Sequence, residues 1–128
     1  MPLVTMTLNA GRDAKTIAAM LDAIHASLAE AGVPANDRFQ RVIEGTPATF
    51  RYDAQYPDLA KPRDDRFVVI EILWSVGRIV KIKRTLAAAI ASRVAGAAGI
   101  DAGNVMLVFI ETAWENWAFS SGTLLHAA

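Results

Sequence analysis

The chain has 128 residues, 53% of them hydrophobic and 20% charged, and its 13 basic side chains balance 13 acidic ones. That length makes a single domain over residues 1–128, and zero net charge leaves no basic field for nucleic acid. The absence of cysteine excludes disulfides, thiolate catalysis and thiolate-bound metal. The most apolar stretch, Leu86 to Ile100, is broken by Arg93 and too short to cross a bilayer, and no charged-then-apolar leader is visible. The expectation is a cytoplasmic α/β protein with no membrane or nucleic-acid partner.

Pro2 follows Met1 and heads a strand, Leu3 to Leu8. If Met1 is removed, the new terminus is a secondary amine, and a free α-amino group titrates near ~7.7–8.0, close enough to neutrality to act as acid or base. If Met1 stays, the Pro2 nitrogen is an amide and can do neither. A Gly11-Arg12 turn comes next, then a helix carrying Ile17, Met20, Leu21, Ile24 and Leu28 at helical spacing, with Asp13 adding favourable charge in its first turn. It stops at Ala31-Gly32, where glycine suits the left-handed cap. A second strand, Phe39 to Ile43, closes the unit.

Residues 46–65 hold three prolines and many charges and read as a connecting loop, with a short hairpin expected at Ala48 to Tyr52. The pattern then restarts. Strand Phe67 to Trp74 leads to Gly77-Arg78, a helix through Ile82, Leu86, Ile90 and Val94 that ends at Ala98-Gly99, and a strand Val105 to Ile110. Gly11-Arg12 and Lys15 recur as Gly77-Arg78 and Lys81, an offset of 66, and after a one-residue slip Ala31-Gly32-Val33 matches Ala98-Gly99-Ile100 and Glu44 matches Glu111. The halves, about 1–45 and 66–111, are therefore two β-α-β units, each with parallel strands joined by a right-handed crossover. The predicted fold is α/β: a four-stranded sheet, parallel within each unit, with two helices on one face. The other face is apolar and is left for neighbouring subunits.

No His, Asp or Glu cluster has metal-ligand spacing, and no glycine loop is built for phosphate. Ser75, Ser120 and Ser121 lack an evident histidine base. His25, alone on its helix, reads as structural, and His126 falls in a tail.

Pro2, the duplicated unit and the two Gly-Arg turns together resemble the tautomerase superfamily. Gly32-Val33-Pro34-Ala35-Asn36-Asp37-Arg38-Phe39-Gln40 and Trp117-Ala118-Phe119-Ser120-Ser121-Gly122 are similar to segments of its malonate semialdehyde decarboxylase branch. The resemblance implies a cofactor-free, trimeric enzyme acting on a small carboxylic acid. It implies that Pro2 is the catalytic amine, that Asp37 assists proton movement, that Arg78 holds the substrate carboxylate and that Trp117 and Phe119 line the pocket. Arg12, in the matching turn of the first half, is a further candidate for substrate binding. Val76 stands where the decarboxylases carry the first of two arginines. The reaction expected first is keto–enol tautomerisation of a 2-oxo acid. Decarboxylation or hydration of a 3-oxo acid is the alternative, and a non-catalytic trimeric binding protein is what a retained Met1 would leave.

Overall fold

The computed structural model describes residues 1–126. Strand β1 (Leu3–Asn9), helix α1 (Ala14–Glu30) and strand β2 (Phe39–Gly45) form the first unit; β3 (Val68–Ser75), α2 (Val80–Ala98) and β4 (Val105–Thr112) form the second. Within each unit the strands are parallel, β1 with β2 and β3 with β4, and the units join through an antiparallel β1–β3 pair, giving the order β2-β1-β3-β4. A two-residue ribbon, β5 (Ala118–Phe119) and β6 (Thr123–Leu124), follows.

Strand alternation divides the sheet into two faces. Val4, Met6 and Leu8 of β1 and Ile70, Ile72 and Trp74 of β3 are fully buried and pack on Met20, Ile24 and Leu28 of α1 and Leu86, Ile90 and Val94 of α2. Each such side chain contributes roughly 1.5–3 kcal/mol of transfer free energy, so this layer dominates the stability of the fold. The alternate residues, among them Phe39, Ile43, Met106 and Ile110, point the other way and are 40–50% exposed. Among the described residues, no helix is long and apolar enough to cross a membrane.

Asp13 is the N-cap of α1 and not a first-turn residue: its extended backbone lets Oδ1 accept the Thr16 N–H at 2.7 Å. That bond holds its carboxyl below the ordinary aspartate range. The helices end at Ala31 and Gly99, as the glycines predict. No hairpin forms at Ala48 to Tyr52. The Thr46 carbonyl accepts the N–H groups of Thr49 and Phe50, which closes a turn, and Phe50 and Tyr52 then cluster on Phe67. The ring contacts with Phe67 and the Tyr52 hydroxyl, which donates to the Asp64 carbonyl at 2.7 Å, hold this segment against the loop before β3 instead of folding it on itself.

Candidate active site

The site grows from the register of the sheet. Leu3 lies opposite Leu73 of β3 and beside Phe39 of β2, so the start of β1 is flanked by the start of β2 and the end of β3. Asp37 sits just before β2, in a turn fixed by its own N–H to the Pro34 carbonyl at 3.0 Å. Its Oδ2 is 3.1 Å from the terminal nitrogen of Met1, and the two side chains are only 12% and 20% exposed. The other oxygen, Oδ1, is buried with no hydrogen-bond partner among the described residues. A cleft of about 220 Å³ opens beside this pair, walled by Pro2, Leu3, Phe39, Trp117 and Phe119, with the Phe39 and Phe119 rings 5.7 Å apart.

Arg78 follows Gly77, whose φ of +120° lets the chain leave β3 sharply. The guanidinium lies over Trp74 at 4.5 Å and near Trp114 at 5.8 Å, and one of its nitrogens donates to the Ser75 carbonyl at 2.7 Å. Among the described residues no carboxylate pairs with it. Ser75 ties this cation to the cleft, because its hydroxyl accepts the Trp117 indole N–H at 3.0 Å. The Trp114 indole N–H donates to the Val76 carbonyl at 3.1 Å, pinning the turn that carries Arg78. Glu111 accepts from Lys83 at 2.6 Å; that bond, helped by the Gly77 N–H and the Arg78 charge, holds its carboxyl below the ordinary range.

Pro2, Trp117 and Phe119 therefore line one cleft, with Asp37 on the Met1 nitrogen beside it and Arg78 linked to it through Ser75. Arg12 does not join them. Because β1 and β3 run antiparallel, the two Gly-Arg turns leave the sheet at opposite ends, and Arg12 lines a separate cleft with Arg66 and Pro47. His25 bonds the Ala35 carbonyl at 2.7 Å, the structural role its isolation implies. The sequence marks Ser75 only as a nucleophile without a base, and it singles out neither Phe39 nor Trp114 for the site. The i, i+3 spacing of Trp114 and Trp117 was the available signal. Among the described residues no three acidic or histidine side chains cluster as metal ligands.

A duplicated β-α-β sheet with a cleft at its amino terminus, an aromatic wall and an arginine without a carboxylate partner defines a protein of tautomerase type. Residues 37–120 match the family described as tautomerase enzyme, and the chain belongs to that family of enzymes. Among solved structures it is similar to FG41 malonate semialdehyde decarboxylase inhibited by 3-bromopropiolate, with 28% identity and a TM-score of 0.86 over 95% of this chain and 92% of that one. A second malonate semialdehyde decarboxylase, described with decarboxylase and hydratase activities, gives 26% identity and 0.84 over 92% and 90%. A fused 4-OT symmetric trimer, at 18% identity and 0.74 over 95% and 94%, shares the fold. Comparison with curated protein sequences gives no match.

Proposed function

We propose that, once Met1 is removed, the Pro2 amine transfers protons on a small oxo acid whose carboxylate is held by Arg78, without a cofactor. The observation that carries this reading is that Pro2 lines the aromatic cleft with Trp117 and Phe119, while the Asp37 carboxylate lies 3.1 Å from the nitrogen of the adjoining Met1. Trp117 and Phe119 form an apolar wall against the carbon skeleton of the substrate. Arg78 has one of its five donors on the Ser75 carbonyl and no carboxylate partner among the described residues, which leaves it able to take a ligand carboxylate.

Two reactions fit this arrangement. Tautomerisation needs a neutral amine, which takes the enol proton and returns it to carbon. Decarboxylation of a 3-oxo acid needs the ammonium form. There the bond between the carboxylate carbon and C2 breaks, its electron pair moves into an enolate whose oxygen takes the ammonium proton, and carbon dioxide leaves. C2 of the resulting enol then takes a proton from solvent as the enol oxygen returns one to the amine, so that each turnover consumes one solvent proton. Asp37 lies against the Met1 nitrogen, one residue from Pro2, and we rank decarboxylation ahead of the tautomerisation expected from sequence. The similarity to two malonate semialdehyde decarboxylases supports the same order. Val76, in place of a second cation, is the observation that favours tautomerisation.

The exposed sheet face bearing Phe39, Ile43, Met106 and Ile110 supports a homotrimer, the assembly of the fused 4-OT proteins that share the fold. The test uses protein whose intact mass shows loss of Met1, assayed with malonate semialdehyde and with the enol of a 2-oxo acid. The expected result is preferential release of carbon dioxide, with kcat/KM falling as pH rises and the amine loses its proton. Equal rates for Met1-retaining and processed protein would remove Pro2 from the mechanism, and no turnover by either would leave the binding-protein reading.

A further inference from the structure

The internal repeat does not end with the secondary structure. The Ala10 N–H donates to the Gly45 carbonyl at 2.9 Å, and Val76 repeats this bond to Thr112, also at 2.9 Å. Gly11 and Gly77 share the same unusual backbone, with φ of +115° and +120°. The offset of 67 that relates Glu44 to Glu111 also sets Phe50-Arg51-Tyr52 against Trp117-Ala118-Phe119, and Asp37 against Asn104. The carboxylate of Asp37 meets the terminal nitrogen; the amide oxygen of Asn104 meets the N–H of Asp64 at 3.0 Å. The far end of the sheet therefore repeats the Gly-Arg turn and its backbone bond with different chemistry around them. Val68 stands where Pro2 does, and its nitrogen is a mid-chain amide with no proton to trade.

The cation of that second site is intact. Arg12 is half-buried in a cleft of about 410 Å³, and one of its nitrogens donates to the Arg66 carbonyl at 2.6 Å. Among the described residues no carboxylate pairs with Arg12, whereas Arg66 is paired with Asp64 at 3.0 Å. Burial first, and then the charge of Arg66, make the charged guanidinium less comfortable than in water, with the nearby charges of Asp64 and Asp65 offsetting part of this. Pro47 supplies an apolar wall, and Asp65 adds one negative charge at the rim. A half-buried arginine fork with free donors is suited to a carboxylate.

We infer that the Arg12 cleft is a second, non-catalytic binding site for a small carboxylate, separate from the reaction proposed at Pro2. It holds the same chemical class of ligand through the same turn, and lacks the amine that would transform it.

The test is a ¹H–¹⁵N NMR titration of the full-length protein with propanoate, and with propionamide as the uncharged control. Saturable shifts of the Gly11, Arg12 and Arg66 amides are expected with propanoate only. Arg12→Ala should abolish them, and Arg12→Lys, which keeps the charge without the fork, should weaken the apparent affinity by about tenfold. Arg12→Gln retains a donor for the Arg66 carbonyl and serves if the alanine variant loses its dispersed spectrum. Amides that stay still in the wild type, that move equally with propionamide, or that still saturate in a folded Arg12→Ala or Arg12→Gln protein overturn the inference. The Gly77 and Arg78 amides report on the Pro2 cleft in the same spectra, so failure of either site is read apart from the other.

Discussion

Replacing Arg78 with alanine removes a guanidinium with one donor committed to the Ser75 carbonyl and its face on Trp74, and leaves any bound carboxylate without a cation. Two effects must be separated. The lost hydrogen bond and cation–π contact cost the fold about 1–2 kcal/mol, which lowers the melting temperature whatever the enzyme does. The lost charge-assisted fork costs the substrate about 2–4 kcal/mol, or roughly 30- to 900-fold in kcat/KM at a factor of ten per 1.36 kcal/mol. Assaying each variant with the oxo acid and with its amide isolates the second effect, because only the acid needs the cation. The expected outcome is a large loss for the acid and a loss under about fivefold for the amide, with Arg78→Lys between wild type and Arg78→Ala. Parallel losses for both substrates would refute the assignment, since a purely structural arginine injures both alike.

Val76 is 43% exposed beside this cation and does not pack under the helix, so Val76→Arg should be accepted by the fold within about 0.5 kcal/mol and should raise decarboxylation relative to tautomerisation; a folded variant with an unchanged activity ratio places the specificity elsewhere. Light scattering should give a trimer that Ile43→Lys dissociates, because this half-exposed side chain serves the free sheet face and not the core; a wild-type monomer at micromolar concentration contradicts the assembly. Glu111 has its folded pKa depressed, chiefly by the Lys83 hydrogen bond, so its contribution to stability is fully present above the unfolded value near ~4.3 and is lost as pH falls through the folded one. Glu111→Gln should therefore flatten the decline of melting temperature with acidification below about pH 4, and an unchanged slope would show the pair to be inert.

The helices and the four main strands were legible because each has a long periodic signal: Met20, Ile24 and Leu28 recur at helical spacing, and Val68, Ile70, Ile72 and Trp74 alternate along their strand. The repeated Gly-Arg turns were legible because both need the same backbone. Strand ends were not. Glu44 and Gly45 extend β2 by pairing with Leu8 and Asn9, although neither residue type favours a strand. The β5–β6 ribbon is two residues deep, too short for any alternation, and turns through Ser120 and Ser121 at positive φ. At the site, Asp37 was found through its motif, but its contact with the terminal nitrogen depends on strand register. Ser75 was invisible as a bridge, since nothing local says that its carbonyl and hydroxyl face two different partners. The separation of Arg12 from Arg78 follows from one antiparallel pairing, which the repeat leaves undetermined.

The three tryptophans of the chain all gather at one end of the sheet: Trp74 beneath Arg78, Trp114 against the Val76 carbonyl, and Trp117 on Ser75 and in the wall of the cleft. The corresponding wall at the opposite end is built from Phe50 and Tyr52. The molecule is thereby labelled by its own composition. Excited at the red edge of indole absorption, it emits from the Pro2 end alone. A carboxylate settling on Arg78 changes the field over two indole rings and alters the emission, while one settling on Arg12 leaves that light unchanged.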